Sequence, residues 1–268
     1  MRETIGTPAP AVRSDIAEGV ATIEFNRPES ANALDLPMAV ALREAVEAVS
    51  RDPGVRCVLM LGRGRNFCAG GDVAAMSGAA DRHAYVLDLA RTAHRSVLAL
   101  AELDVPVVAA VQGAAAGAGL ALTLVADVVL AGESARFLTA YTQAGLTPDC
   151  GTSWLLPQVV GLRRALALTL TDRRLGAQEA ADWGLVTGVC PDEEVTDSAR
   201  RLALRLASGP VPALGRTRRL LRDASRRSLA EQLDVEAASI AEASMSPAAD
   251  ARLAAFVSKS QKVGEGQQ

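Results

Sequence analysis

Apolar and polar residues alternate in short blocks along the first two thirds of the chain. The alternation at residues 12–16 and 20–25, separated by a Glu-Gly turn, predicts a β-hairpin. Apolar residues at helical spacing follow at 38–50, and nearly unbroken apolar runs at 55–61 and 107–111 indicate buried strands. Strands that alternate with helices in this way are typical of an α/β protein.

The same reasoning places further elements between residues 81 and 160. Residues 81–103 are predicted to form a helix with Leu87, His94 and Leu98 on or near its apolar face. An apolar helix opened by the small residues 114–119 is expected after the central strand. The other predictions here are a strand at 127–131, an extended piece at 135–140, a turn at 145–149 and a helix at 152–160.

From residue 161 onward the pattern is almost entirely helical, without a clear repeat. The predicted helices cover residues 162–170, 177–183, 195–208, 212–223, 229–245 and 247–258. Long amphipathic helices at one end of a chain commonly pack against another subunit, although they also cap the core of their own chain. We therefore divide the chain into a core at 1–195 and a C-terminal helical region at 196–268, which we expect to mediate oligomerisation.

Composition limits the classes of function. A formal net charge of −3 over 268 residues predicts no general affinity for nucleic acid, and adjacent arginines such as Arg218 and Arg219 are expected mostly on solvated helix faces. Four scattered cysteines without a Cys-x-x-Cys pair indicate reduced thiols and a cytoplasmic location. Neither a signal-like segment nor an uninterrupted apolar run of membrane-spanning length is seen, so we expect no membrane partner. With two histidines, a histidine-based metal site is not expected.

Two loops rich in small residues follow the predicted buried strands. The first, FCAGGD at 67–72, ends with Asp72, which could cap a following helix. The second, GAAAGAG at 113–119, opens the apolar helix. A helix N-terminus has unpaired N–H groups and a partial positive charge, so a bare Gly/Ala backbone admits a ligand closely and stabilises negative charge. The alternative is that the small residues only let this helix pack tightly against the sheet.

Together the two loops can aim two backbone N–H groups at one carbonyl oxygen, which stabilises an oxyanion or enolate. The motifs FCAGGD and VQGAAAGAGLAL, preceded by NRPESANAL and followed by apolar helices, resemble the crotonase superfamily of enoyl-CoA hydratases and isomerases. The resemblance runs from about Val20 to Lys259, with the motifs in the family's order. It implies a spiral of ββα units with a C-terminal helical region, and self-association as a trimer or dimer of trimers.

The resemblance also implies the ligand, an acyl-CoA thioester. Coenzyme A enters as part of this substrate, so no separate cofactor is expected. In relatives the thioester carbonyl lies between N–H groups matched here by Gly71 and Ala118, and the backbone near the first loop meets the adenine. A C-terminal Phe-x-x-Lys could reach the nucleotide. The residues that the resemblance places in the substrate site are Ala69, Gly70, Asp72, Gly117, Tyr141, Phe256 and Lys259.

The hydratases of this family use two glutamates, and both are missing here. The matching positions are Ala121 and Tyr141, which disfavours hydration by a carboxylate pair. The ionisable candidate that remains is Asp149, in a loop that faces the thioester in relatives. Several isomerases of the family, including the ring-epoxide phenylacetyl-CoA isomerases, carry an aspartate at this position. The resemblance favours an isomerase that moves a proton through Asp149. The alternative is that Asp149 only caps the helix at 152–160.

A second resemblance uses the same aspartate differently. AYTQAG, PDCGTSW and DWGLV are similar to 4-chlorobenzoyl-CoA dehalogenase, in which an aspartate attacks an aromatic carbon and a histidine activates water. Asp149 matches the nucleophile and His94 the histidine, unless His94 is a core residue of its helix. Cys150 is a weaker nucleophile candidate, since no acid–base partner has convincing spacing. A thioester hydrolase that uses Asp149 with His94, a hydratase that recruits water through Asp149 and a catalytically silent acyl-CoA binder also stay open.

Overall fold

The computed structural model describes the backbone of residues 9–265 and the side chains of residues 9–257. In this part of the chain the strands form one six-stranded and one three-stranded sheet. The strands are β1 Val12–Ala17, β2 Val20–Phe25, β3 Cys57–Gly62, β4 Val107–Val111, β5 Ala114–Ala116, β6 Val128–Gly132, β7 Arg136–Leu138, β8 Leu175–Gly176 and β9 Gly188–Cys190. Their order is β1-β2-β3-β4-β6-β9 in the larger sheet and β5-β7-β8 in the smaller one.

Helices lie between these strands and after them. They are α1 Leu36–Arg51, α2 Val73–Gly78, α3 Arg82–Glu102, α4 Ala118–Val125, α5 Thr152–Val160, α6 Leu162–Leu170, α7 Ala177–Asp182, α8 Val195–Ala207, α9 Val211–Asp223, α10 Leu229–Ser244 and α11 Pro247–Glu265. In the larger sheet β1 pairs antiparallel with β2, and the other neighbours pair in parallel. Parallel pairs need crossover connections, which α1, α3 and α4 supply. The predicted α/β class is confirmed.

Both faces of the central strands β3 and β4 are buried, which explains their nearly unbroken apolar sequences. Along β3, Val58 and Met60 pack into the main core with residues of α1 and α3. Leu59 and Leu61 point to the opposite face, where they join a second cluster with the buried alanines of α8. No described helix combines the length and hydropathy that a membrane span requires. The division of the chain at residues 195 and 196 stays a prediction.

Most predicted elements are confirmed within a few residues. The region after residue 161, predicted to be almost entirely helical, also contains the short strands β8 and β9, which exist because they pair with β7 and β6. Two further differences are informative. Ala114–Ala116 form a strand rather than the first turn of a helix, because they pair with β7. Leu87 and Leu98 are 38% and 59% exposed, so the predicted apolar face of α3 is wrong at these two positions. The buried face of α3 carries Leu89, Ala93, Ser96, Val97 and Leu100.

Arg218 of α9 is buried, contrary to the expectation that the paired arginines lie on solvated faces. Its guanidinium donates to the Asp127 carboxylate at 2.7 and 2.9 Å. It also donates to three carbonyls at the end of α3, those of Leu100, Ala101 and Leu103. Helix ends leave such carbonyls without intrahelical partners. Burial lowers the pKa of Arg218, and the charge of Asp127 opposes that shift. Arg218 therefore fixes α9 against the end of α3.

Arg218→Met is expected to lower the free energy of unfolding by about 3 kcal/mol, because the Asp127 carboxylate and the carbonyls of α3 lose a buried partner. Urea denaturation followed by circular dichroism measures the change. Arg219→Met is the matched control, since that guanidinium is half exposed, pairs with an exposed Asp104 and contributes less than about 1 kcal/mol. Equal effects of the two substitutions would contradict the buried role of Arg218.

Candidate active site

The two small-residue loops contact each other through their backbones. Cys68, in the loop after β3, donates its N–H to the Ala114 carbonyl at 3.1 Å and accepts from the Ala116 N–H at 2.9 Å. β3 and β4 are parallel neighbours, so their carboxyl ends lie together and the loops that follow them run side by side. The structure therefore brings together the two loops that the sequence singles out.

Two glycines allow this close approach. A Cβ on Gly70 would lie 2.9 Å from the Ala116 carbonyl oxygen, and one on Gly119 would overlap the Cys68 carbonyl oxygen. Gly70 also has a φ of +97°, in the left-handed region that favours glycine. Gly117 has a φ of +51° where β5 turns into α4. Larger residues at 70 or 119 would push α4 away from the first loop.

The amides of Gly71 and Ala118 are left available by the surrounding hydrogen bonds. Leu34 donates its N–H to the Gly70 carbonyl at 2.7 Å and accepts from the Asp72 N–H at 2.8 Å. Gly70 and Asp72 thus both bond Leu34, in the pattern of a parallel strand pair. In that pattern the residue between them, Gly71, directs its own N–H away from Leu34. Ala118 is the first residue of α4, so its N–H has no acceptor within the helix. Both amides can donate to a ligand at this junction.

Tyr141 holds the carboxylate of Asp149. Its hydroxyl donates to Asp149 Oδ1 at 2.8 Å and lies 3.3 Å from Thr152 Oγ1. Tyr141 is buried, and its Cζ lies 3.9 Å from where a Cβ on Gly117 would be, so the ring lies beside the turn that opens α4. The cap position of α5 is Gly151, with no side-chain hydrogen bond, so the interpretation of Asp149 as a helix cap is wrong. The half-buried carboxylate is held by the Tyr141 hydroxyl instead.

His94 reaches the same place from α3. Its Nε2 accepts a hydrogen bond from the Cys150 N–H at 3.0 Å. One ligand atom each from His94, Asp149 and Cys150 lie within 4.8 Å of one another. Cys150 has a φ of +50° and Gly151 a φ of +78°, so the chain turns a left-handed corner directly after Asp149. Such a conformation costs a non-glycine residue about 1–2 kcal/mol.

Tyr141 and Cys150 are both held in their neutral forms. Burial, and second the charge of Asp149, raise the pKa of the Tyr141 hydroxyl far above its ordinary value. The same two causes raise the pKa of the Cys150 thiol. Cys150 is therefore not a thiolate nucleophile at neutral pH. A soft cation bound by His94, Asp149 and Cys150 would have to displace the proton of the Cys150 thiol and, at Nε2, the hydrogen bond from the Cys150 N–H.

The other predicted site residues have varied surroundings. Asp72 caps α2, as the sequence predicts, by accepting from the Ala75 N–H at 3.1 Å. Its carboxylate also lies 3.3 Å from the Arg27 guanidinium, so this side chain is already engaged. Phe256 is 73% exposed on α11. The side chain of Lys259 lies outside the described residues.

Two neighbours of the site are not found by sequence reasoning. Thr152 contacts the Tyr141 hydroxyl, and the Met76 side chain lies against Gly71, where a Cβ on that glycine would overlap its methyl group. Neither contact follows from periodicity. Loops rather than regular elements set the spacing between Tyr141, Asp149 and Thr152, and the contact between Met76 and Gly71 depends on how the first loop turns into α2. Only the folded chain shows that these side chains converge.

Sequence and fold are similar to known proteins over nearly the whole chain. A model of the enoyl-CoA hydratase/isomerase family matches residues 15–266. Identity to the 1,2-epoxyphenylacetyl-CoA isomerase of Escherichia coli K12 is 40% over 229 residues, 84% of this chain and 87% of that protein. Identity to 4-chlorobenzoyl coenzyme A dehalogenase-2 of an Arthrobacter species is 32% over 244 residues, 90% and 88% of the two chains. A Mycobacterium abscessus crystal structure classed as an enoyl-CoA hydratase/isomerase matches with a TM-score of 0.90 and 39% identity, covering 93% of this chain and 97% of that one.

Gly119→Ala is expected to lower the free energy of unfolding by about 2 kcal/mol, because the added methyl group overlaps the Cys68 carbonyl and forces the backbones apart. Urea denaturation measures the change. Gly78→Ala is the control, since nothing lies within 4 Å of a Cβ at that position. A Gly119→Ala variant as stable as the Gly78→Ala variant would show that the loops do not need this close contact.

Tyr141 is expected to ionise only when the protein unfolds in alkali. Its pKa in the folded chain is raised above the unfolded value of about 10, so the neutral hydroxyl stabilises the fold at lower pH. That stabilisation is lost as the pH rises above the unfolded pKa. The chain has two tyrosines, so a Tyr85→Phe background isolates the phenolate absorbance of Tyr141, to be compared with circular dichroism. A phenolate signal near pH 10 with the fold intact would disprove the buried donor.

Proposed function

Because the chain belongs to the enoyl-CoA hydratase/isomerase family, we propose that it is an acyl-CoA isomerase that shifts a double bond through an enolate. The family and the crotonase-type α/β fold with C-terminal helices, both predicted from the sequence, are confirmed by the matches described above. The chain is thus an acyl-CoA enzyme of this family. In the proposed reaction Asp149 moves the proton, and the amides of Gly71 and Ala118 hold the enolate oxygen.

The observation that carries the proposal is a single carboxylate held by the residue that replaces a hydratase glutamate. Of the two glutamate positions, Ala121 is fully buried and apolar, and Tyr141 donates to Asp149. Isomerisation needs one group that removes a proton at one carbon and returns it at another. Hydration by the family's usual route needs two. The Escherichia coli relative is named as an isomerase, which supports the same choice.

The geometry suggests how proton and charge would move. Asp149 Oδ1 accepts from Tyr141, which leaves Oδ2 for the substrate proton. When the substrate C–H bond breaks and the proton passes to Asp149, the negative charge passes to the thioester oxygen. There the amides of Gly71 and Ala118 and the positive end of the α4 dipole would stabilise it. The protonated carboxyl then returns the proton to a different carbon, which completes the shift of the double bond.

We propose that coenzyme A enters as part of the substrate, so that no separate cofactor takes part in the reaction. The coenzyme A part would follow the first loop. Asp72 would contribute by fixing the end of the first loop beside the substrate, because its carboxylate is engaged by α2 and Arg27 and its N–H by the Leu34 carbonyl. Small residues at the junction would let the thioester approach the backbone closely. The proposed substrate contacts are Ala69, Gly70, Asp72, Gly117, Tyr141, Phe256 and Lys259.

A second candidate is nucleophilic catalysis by Asp149 with His94 as the base, as in a dehalogenase or thioester hydrolase. The closeness of His94 to Asp149 favours it, and so does the 32% identity to a dehalogenase. The hydrogen bond from the Cys150 N–H occupies Nε2 of His94, which a base would need free. We therefore place this candidate second. A hydratase that recruits water through Asp149 and a silent acyl-CoA binder are further outcomes of the test below.

We also propose that the chain self-associates as a trimer or dimer of trimers in the cytoplasm. Leu162, Leu166 and Leu170 form a stripe along α6, between 47% and 69% exposed. Leu229 and Leu233 of α10 are likewise 75% and 54% exposed. Exposed apolar residues in contiguous patches are typical of protein interfaces. These helices are thus the surfaces that another copy would cover.

Asp149→Asn is expected to lower isomerase turnover by at least about 10²-fold, because the amide cannot accept the substrate proton. The assay is mass spectrometry of a 3-enoyl-CoA incubated with the protein in deuterated water, with double-bond position and deuterium content read together. Movement of the double bond without addition of water is the result expected from the unmodified protein. Intramolecular return of the proton would reduce deuterium uptake, so the double-bond position decides.

Two controls make this test specific. Asp104→Asn changes an exposed carboxylate that pairs with Arg219, and turnover should stay unchanged. Binding of the acyl-CoA by Asp149→Asn, measured by calorimetry, should persist, because the amides of the two loops are intact. Full turnover by Asp149→Asn would rule out the proposed role. A hydrated product would favour the hydratase, a free acid the hydrolase, and binding without any conversion the silent binder.

A further inference from the structure

We infer that His94 is a positioning residue that accepts a hydrogen bond at Nε2 and carries its proton on Nδ1, rather than a base. The inference about its role rests on the proposed function, in which Asp149 moves the proton. The inference about its tautomer rests on the geometry of the chain alone. It concerns the residue that the dehalogenase-like alternative would use to activate water.

The direction of the hydrogen bond between Cys150 and His94 is fixed by its donor. The Cys150 N–H can only donate, and it lies 3.0 Å from His94 Nε2, so Nε2 must present a lone pair. A neutral imidazole has one N–H, which then lies on Nδ1. The nitrogen with the lone pair is occupied and the other already holds a proton. To act as a base, His94 would first have to release the Cys150 amide.

The hydrogen bond that His94 accepts from the Cys150 N–H fixes the left-handed turn that follows Asp149. Cys150 is 2% exposed, so its N–H would have no ready access to water without His94. Cys150 and Gly151 both have positive φ, and this corner sets the direction in which the preceding carboxylate points. Tyr141 and Thr152 hold the carboxylate from one side, and His94 holds the peptide that follows it from α3. The Asp149 carboxylate and the Cys150 thiol each place an atom within 4.8 Å of a ring nitrogen of His94.

Substitutions at position 94 distinguish a side chain that only accepts a hydrogen bond from one that acts as a base. Glutamine at position 94 has about the reach of Nε2 and a carbonyl oxygen that accepts an N–H, but it takes up no proton at neutral pH. Phenylalanine fills the space of the ring and accepts nothing. We expect His94→Gln to keep isomerase activity within about fivefold of the unmodified protein. We expect His94→Phe to lose about 10²-fold, since the carboxylate is misplaced.

The controls distinguish a loss of activity caused by misfolding from one caused by the missing hydrogen bond. His83→Gln changes the other histidine of the chain, which lies exposed on the same helix, and should leave activity unchanged. Circular dichroism and urea denaturation identify a variant that fails to fold. A folded His94→Gln protein as inactive as His94→Phe would overturn the inference, because rescue by an acceptor that is not a base is its central consequence.

A spectroscopic measurement tests the tautomer without any substrate. With two histidines in the chain, nitrogen NMR of histidine-labelled protein gives two rings, and the His83→Gln variant assigns them. We expect the His94 ring to carry a proton on Nδ1 and a lone pair on Nε2. A proton on Nε2 would overturn the inference. If the unmodified protein converts no enoyl-CoA, the proposed function fails, and this measurement still decides how His94 is used.

Discussion

The site depends on a backbone contact between the loops that follow two parallel strands. The Cys68 carbonyl accepts an N–H···O bond from Ala116, and the missing side chains of Gly70 and Gly119 let the first loop and α4 approach that closely. This contact sets where the first turn of α4 begins relative to Gly71. Because N–H groups are useful to an oxyanion only within a few tenths of an ångström of the right place, the packing of glycine backbones comes before any chemistry.

The second constraint is the placement of charge. Burial and the nearby charge of Asp149 keep Tyr141 and Cys150 in their neutral forms, so both surround the carboxylate as uncharged groups. In the proposed reaction the carboxylate loses its charge as the enolate gains one. One negative charge is therefore present at a time, first beside the Tyr141 hydroxyl and then at the N-terminus of α4. Two glutamates would add a second negative charge beside these uncharged groups.

Sequence reasoning identified the elements and loops well because they depend on local periodicity and glycine. It gave the bounds of α5 and α6 as observed, and it singled out the two small-residue loops, which pair through their backbones. It failed where contacts across the fold decide. The strand β5 exists because β7 lies beside it. The hydroxyl of Tyr141 and Nε2 of His94 find partners in another segment, which no spacing in the sequence indicates.

The buried arginine of α9 links the C-terminal region to the site through α3. Arg218 binds the last carbonyls of α3, and its other partner Asp127 accepts from the N–H of Val107, the first residue of β4. α3 carries His94 and β4 leads into the second small-residue loop. A positive group at the end of a helix also stabilises the helix dipole. The contact thus holds two of the elements on which the site is built, the end of α3 and the start of β4.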